Sequence, residues 1–133
     1  KAEIVLLGVS RTFKTPLSIY FAFKGWMVAN VPIVLNQPPP NQIFQIPPER
    51  VFCLTAYAYN LSTLRQVRLE HLGSGAANYA TLQHVNMELN YARFIFSKQP
   101  LWPVITVTNK LIEEIASEIL AIKKAKIASL ETD

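Results

Sequence analysis

The chain has 133 residues, of which 50% are hydrophobic and 17% are charged, and its net charge is +4. This length fits one domain with its own core, and the composition excludes an intrinsically disordered chain. No apolar run approaches the roughly 20 residues of a membrane helix. Basic residues are scattered except for Lys123, Lys124 and Lys126. We therefore expect no membrane or nucleic acid partner; a small anionic ligand and an ordinary basic domain remain open.

The first part of the chain predicts two buried strands with a helix between them. Pro16 falls in the first turn of this helix, where its missing N–H group costs nothing, and Gly25 closes the helix. Pairing of the second strand is expected to end near Val31, because Pro32 cannot donate to a ladder. These three elements are expected at 3–9, 14–24 and 26–34.

The remaining chain predicts two more strands and three more helices. A Pro-rich connection, packed through Ile43, Phe44 and Ile46, leads into them. Asn60 or Ser62 is expected to cap the first of these helices, which Gly73 would end. The strands are expected at 51–56 and 102–108, and the helices at 60–72, 79–97 and 110–126. This alternation predicts an α/β domain with a mostly parallel sheet of about four strands flanked by helices.

The two ends of the sequence bear on its completeness. The chain begins at Lys1 rather than Met, one or two residues before a strand, and its only Asp is its last residue, Asp133. We expect 1–133 to be a single nucleotide-binding catalytic domain from the C-terminal part of a longer protein. A single Cys53 excludes a disulfide within the chain and is expected in the core.

The segment GVSRTFKT at 8–15 has the outline of a phosphate-binding loop, G-x-x-x-x-G-K-[ST], with Phe13 in place of the second glycine. It follows a buried strand and opens a helix, where backbone N–H groups favour an anion. Lys14 would reach phosphate oxygens, Arg11 would assist, and the Thr15 hydroxyl would hold magnesium. The alternative is an ordinary strand-to-helix turn. The expected nucleotide-binding residues are Gly8, Val9, Ser10, Arg11, Thr12, Phe13, Lys14 and Thr15.

The aromatic residue in this loop departs from the pattern. Glycine at that position permits a positive φ and a close approach of the backbone to phosphate, whereas a bulky residue with positive φ is an outlier. Either Phe13 has ordinary right-handed helical backbone, or its ring hinders the site.

With these motifs placed, the chain resembles the C-terminal, nucleotide-binding half of the regulatory proteins of pyruvate, phosphate dikinase and phosphoenolpyruvate synthase. Members are bifunctional serine/threonine kinases and pyrophosphorylases. The resemblance runs from about residue 4 to residue 120. Its main blocks are GVSRT-KTPLS at 8–18, KG--VANVP at 24–32, VF-LT at 51–55 and WPVI-VT-K-IEE at 102–114.

The resemblance implies an ADP-dependent kinase that phosphorylates a threonine of the dikinase or synthase and switches it off. The reverse reaction would use inorganic phosphate and release pyrophosphate. It further implies a P-loop-type domain, Mg²⁺ as a metal, a homodimer of the full-length protein, and a location in the cytoplasm or, in a plant, in the chloroplast stroma.

Several positions depart from the family. Members carry Ser or Gly at the position of Phe13, so a positive φ would not be mandatory there. Thr106 replaces an Asp, the natural choice for a magnesium ligand or base, and Leu111 and Ile115 replace a Ser and a Thr. A non-catalytic nucleotide-binding or interaction paralogue, closed by Phe13, is therefore an alternative. The third hypothesis is an unrelated small-molecule kinase that prefers ATP.

Other polar residues are weaker candidates. Arg65 and Arg68 lie three apart on one helix and are expected to bind a second phosphate or the partner protein, with surface salt bridging as the alternative. Metal binding through His71 and His84 is not expected, because they lack ligand spacing. Five further residues lie at predicted strand ends or helix starts. Each has either a role in the site or an ordinary structural one: Thr55, Asn109, Lys110, Glu113 and Glu114.

Overall fold

The computed structural model describes residues 2–72 and 81–131, and the side chains at 68–72 and 127–131 are not described. Within these residues the chain forms a four-stranded parallel sheet flanked by helices, as predicted. The strands are β1 (Ile4–Gly8), β2 (Val28–Pro32), β3 (Val51–Thr55) and β4 (Val104–Thr106). The helices are α1 (Lys14–Phe23), α2 (Ala58–Leu72), α3 (Leu82–Phe96) and α4 (Ile112–Glu131).

The strand order β2-β1-β3-β4 places β1 and β3 at the centre of the sheet. All five residues of each are buried, because both faces of the sheet are covered by helices. Helix α1 packs against α4, and α2 packs against α3. Since the chain leaves β1 for one edge and β3 for the other, right-handed crossovers place these two helix pairs on opposite faces. The loops after β1 and β3 therefore diverge and leave a crevice at the carboxyl edge.

Strand β2 is shorter than the predicted 26–34, and its pairing with β1 ends at Pro32, one residue beyond Val31. Pro32 lies opposite Gly8 in the ladder, and the N–H group of Ile33 donates to the Gly8 carbonyl at 3.0 Å. Proline is tolerated here because β2 is an edge strand, so its missing donor leaves no partner strand unpaired.

Helix α2 begins at Ala58 rather than at residue 60, so the prediction of Asn60 or Ser62 as its cap is wrong. The first helical bond runs from the Leu61 N–H group to the Tyr57 carbonyl at 3.0 Å. The Tyr57 N–H group itself donates to the Thr108 hydroxyl at 2.8 Å. A residue far along the chain thus supports the entry to this helix. Gly73, the predicted stop, lies outside the described residues.

Strand β4 is shorter than the predicted 102–108, although single backbone bonds to β3 continue on either side of it, at Pro103 and Val107. The Trp102 ring is buried and stacks on Phe44 with centroids 5.4 Å apart, which fixes the Pro-rich connection together with the buried Ile43. This connection contains two short 3₁₀ helices, Asn41–Phe44 and Pro48–Arg50. None of the described helices is long and apolar enough to cross a membrane.

Candidate functional site

The loop between β1 and α1 makes a tight turn at the carboxyl edge of the sheet. Arg11 and Phe13 both have left-handed backbone, with φ of 70° and 68°. Of the two alternatives for Phe13, ordinary right-handed backbone is therefore wrong. A left-handed conformation costs a residue with a Cβ about 1–2 kcal/mol. Phe13 precedes α1 without a side-chain hydrogen bond to it, so its side chain leaves the N–H groups of the first turn uncapped.

Two side chains of the loop converge on one carbonyl. The Lys14 ammonium donates to the Val9 carbonyl oxygen at 2.7 Å, and the Thr12 hydroxyl donates to the same oxygen at 2.8 Å. Thr12 is fully buried, so its side chain supports the turn from inside rather than facing a ligand. The Thr15 side chain is exposed at the start of α1. These contacts bend the loop around Val9 and leave its outer side open.

Gly8 permits this turn through its lack of a side chain. A Cβ at this position would lie 2.6 Å from the Thr12 hydroxyl oxygen and 3.1 Å from the Leu54 carbonyl oxygen. The Leu54 backbone and the buried Thr12 hydroxyl cannot both shift to make room for a Cβ, so any larger residue would push the loop away from β3. The first glycine of the motif is therefore required for close approach, not for an unusual φ.

The loop concentrates positive charge. Burial is the largest cause that lowers the pKa of Lys14 from 10.5 to about 8, and the positive charges of Arg11 and Arg65 lower it further. The Arg11 side chain is exposed. A bound anion would relieve this repulsion, so the site is electrostatically suited to phosphate.

Arg65 lies behind the loop, not on an exposed helix face. It is fully buried, and both terminal nitrogens of its guanidinium contact the Glu88 carboxylate, at 2.8 and 2.9 Å. One of them also donates to the Ser10 carbonyl at 3.1 Å. Surface salt bridging, the alternative for this residue, is wrong. The side chain of Arg68 lies outside the described part of the chain.

Glu88 was not among the sequence candidates. It is 8% exposed and belongs to the buried stripe of α3 with Val85, Leu89 and Ala92. A carboxylate on an apolar stripe requires a buried partner, and this was the signal available in the sequence. His84 contacts the same carboxylate through Nε2 at 2.8 Å. No cluster of metal-ligating side chains occurs among the described residues.

A cavity of about 540 Å³ adjoins the loop at the carboxyl edge. It extends from the β1–α1 loop to the segments that follow β3 and β4. Its walls are mainly apolar, and Arg11 and Phe13 belong to both the loop and the cavity. Residues that line it include Arg11, Phe13, Asn60, Leu64, Asn109 and Leu111.

The other strand-end candidates gather at the same edge. Thr55 is 8% exposed and pairs with Thr106 across β3 and β4. Asn109 has left-handed backbone with φ of 63°, and Lys110 forms an ion pair with Glu118 at 2.9 Å. Thr106 lies at the end of β4 beside Thr55. It has a hydroxyl at the position where the resemblance led us to expect a carboxylate.

Three other residues singled out in the sequence have structural roles. Cys53 is buried in β3, as predicted, and burial raises the pKa of its thiol. Glu114 lies in the first turn of α4, where its carboxylate accepts from the Leu111 N–H group at 2.8 Å. Glu113 lies in the same turn, where negative charge stabilises the helix.

Fold and site together define a class: a parallel α/β domain with a lysine-bearing turn at a helix N-terminus and a cavity beside it. The chain belongs to the kinase/pyrophosphorylase family, whose sequence model matches residues 1–120. Membership agrees with the resemblance in the sequence blocks.

Curated relatives carry names that specify a regulatory target. The chain is 51% identical over 124 residues to the chloroplastic pyruvate, phosphate dikinase regulatory protein of Zea mays, covering 92% of this chain and 29% of the relative. Proteins from Bdellovibrio bacteriovorus and Geotalea uraniireducens carry the same regulatory-protein name in provisional form. They are 45% and 51% identical, over 96% and 90% of this chain and 46% and 45% of their own lengths. The chain thus spans about half or less of these relatives.

Proposed function

We propose that this chain is the nucleotide-binding part of a protein kinase and pyrophosphorylase that regulates pyruvate, phosphate dikinase or phosphoenolpyruvate synthase. In the forward reaction, a threonine hydroxyl of the target attacks the terminal phosphorus of ADP, and AMP leaves. In the reverse reaction, inorganic phosphate attacks the phosphorus of the phosphothreonine, the threonine hydroxyl is the leaving group, and pyrophosphate is the product. Membership in the kinase/pyrophosphorylase family supports a reaction of this general type, and the names of the relatives support pyruvate, phosphate dikinase as a target.

The observation that carries the proposal is the position of Lys14. Its ammonium is held inward on the Val9 carbonyl, next to the uncapped N-terminus of α1. A diphosphate at this helix end would accept from the first N–H groups, and Lys14 would exchange its carbonyl partner for a phosphate oxygen. Arg11 would lie across the same phosphates. Positive groups fixed beforehand stabilise the charge that spreads over the transferred phosphoryl group.

Magnesium fits this site only in part. Thr15 has an exposed hydroxyl next to Lys14, and in such sites phosphates and water complete the coordination. Thr106 contributes no carboxylate to help. When bound with ADP, the ion would neutralise phosphate charge. The residues of this chain would orient the phosphates and hold them against the loop.

The cavity is suited to the nucleoside of ADP. Its volume of about 540 Å³ falls within the roughly 300–1,000 Å³ usual for small-molecule sites. It begins at Arg11 and Phe13, so a nucleotide with its phosphates on the loop would extend directly into it. Leu64 would pack against the base, and the amides of Asn60 and Asn109 would supply hydrogen bonds to base and ribose.

Calorimetric titration with Mg-ADP tests the proposal. The wild-type chain should bind, and Lys14→Ala should weaken binding by at least about ten-fold, because a partly buried charge-assisted contact with phosphate is lost. Lys24→Ala is the matched control: Lys24 is an exposed lysine at the other end of α1, over the Tyr20 ring, and its removal should change nothing. Equal affinity in wild type and Lys14→Ala would reject the assignment, and preference for ATP would favour an unrelated small-molecule kinase.

The second candidate function is a non-catalytic interaction module. The position of Phe13 favours it, since this residue lines the cavity beside the loop and holds a conformation that is costly for an aromatic residue. A Phe13→Ser substitution separates the two functions. If the ring closes the site, affinity for Mg-ADP should rise by at least about ten-fold; in a working kinase it should change by less than about three-fold. Phe23→Ser, at an 88% exposed position of α1, is the control.

A further inference from the structure

A buried ion pair connects two helices to the phosphate-binding loop. The Arg65 guanidinium on α2 is fully buried and makes two parallel bonds to the Glu88 carboxylate on α3. Burying a guanidinium is costly, and a bidentate carboxylate offsets much of that cost. A buried ion pair often contributes little net stability, so its main effect is to fix the groups that it contacts.

What it holds is the peptide bond between Ser10 and Arg11. Arg65 donates to the Ser10 carbonyl at 3.1 Å, which turns this oxygen toward the interior. In a trans peptide the carbonyl and the next N–H group point in opposite directions. The Arg11 N–H group is therefore aimed outward.

The outer end of the pair is supported by His84. Its Nε2 lies 2.8 Å from the Glu88 carboxylate, one helical turn away on α3. Because Glu88 is fixed by both His84 and Arg65, its carboxylate has little freedom to rotate. The chain of contacts thus runs from His84 through Glu88 and Arg65 to the Ser10 carbonyl.

We propose that Arg65, held by Glu88 and His84, is a positioning residue that keeps the Ser10–Arg11 peptide oriented with its N–H group toward bound phosphate. This inference deepens the proposed function and rests on it for the ligand only. It assigns Arg65 a role behind the loop, in place of direct contact with a second phosphate.

The double variant Arg65→Met/Glu88→Leu tests this role. Replacing both charges by apolar residues of similar size avoids leaving one charge buried alone, so the fold should survive. Trypsin cleavage after Arg11 reports how firmly the loop is held, because a protease cuts only locally opened segments. We expect cleavage after Arg11 to be at least about ten-fold faster, cleavage after Lys24 in the same digest to be unchanged, and Mg-ADP affinity to fall by at least about ten-fold.

Arg93→Met is the matched control. Arg93 is an exposed arginine of α3 that contacts Asn90, and its loss should leave both measurements unchanged. Should the double variant fail to fold, Glu88→Gln keeps the shape of the side chain while removing one acceptor and the charge. Its cleavage after Arg11 and its ADP affinity should change in the same directions, by smaller factors.

The outcomes separate this inference from the proposed function. A folded double variant whose Arg11 cleavage and ADP affinity equal those of the wild type would overturn the positioning role. Weaker ADP binding with unchanged cleavage would also overturn it, since Arg65 would then act on phosphate directly. If the wild-type chain binds no ADP while the variant is cleaved faster after Arg11, the proposed function fails and the positioning role holds.

Discussion

Lys14 keeps a positive charge in a place that disfavours it. Its pKa is lowered to about 8 by burial and by two arginines. The unfolded chain therefore binds more protons between pH 8 and 10.5, so the free energy of unfolding rises with pH across this window. A bound phosphate would reverse the shift, because a negative neighbour favours the charged lysine.

The pH dependence of nucleotide affinity should follow from this lysine. Above about pH 8, binding must take up a proton at Lys14, so affinity for Mg-ADP should fall by up to about ten-fold per pH unit. Below about pH 7 this effect should be absent. Titrations in buffers of different ionisation enthalpy would measure the proton uptake directly. In Lys14→Ala the uptake should vanish; uptake that persists there would point to another group.

At this scale, the sequence motif predicted the residues of the loop better than their conformations. Gly8 and Lys14 lie where the motif puts them, since strand, turn and helix follow one another in the chain. The left-handed backbone of Phe13 was not predicted, because its cost is offset by packing of the half-buried ring against the core. The buried partner of Arg65 was missed because Glu88 lies 23 residues away.

Helix α4 begins with an incomplete cap. The Glu114 carboxylate accepts from the Leu111 N–H group at 2.8 Å, which is one half of a capping box. The other half needs a side-chain oxygen at residue 111, where this chain has a leucine that is 67% exposed.

A Leu111→Ser substitution should therefore stabilise the protein. The new hydroxyl can accept from an N–H group of the first turn of α4, and the loss of an exposed leucine costs little, so we expect a gain of about 1 kcal/mol in the free energy of unfolding. Urea denaturation measures it. Leu101→Ser, at a 65% exposed position outside any helix, is the control, and an equal gain there would contradict the capping explanation.

Element types and their order were predictable, whereas several boundaries were not. Alternating strand and helix patterns are local, so they are readable in the sequence. The start of α2 depends on the Thr108 hydroxyl, 51 residues away, and Trp102, the predicted first residue of β4, stacks on Phe44 instead. Both are tertiary contacts, and no local sequence pattern predicts them.

The site exists only at the level of the whole molecule. Strand order was not predicted from the sequence, yet the adjacency of β1 and β3 brings the β1–α1 loop beside the segment that opens α2. The cavity adds the segment between β4 and α4, and the Arg65–Glu88 pair ties α2 and α3 to the loop. Residues far apart in the chain therefore converge on one edge of the sheet.

The most direct test of nucleotide placement is paramagnetic broadening of backbone amide signals by ADP carrying Mn²⁺ in place of Mg²⁺. If the diphosphate lies on the loop, signals of residues 8–15 should broaden first. Those of the cavity segments 59–61 and 108–110 should follow, while Gly25 and Lys98 stay sharp. Sharp signals throughout 8–15, with broadening elsewhere, would contradict the account.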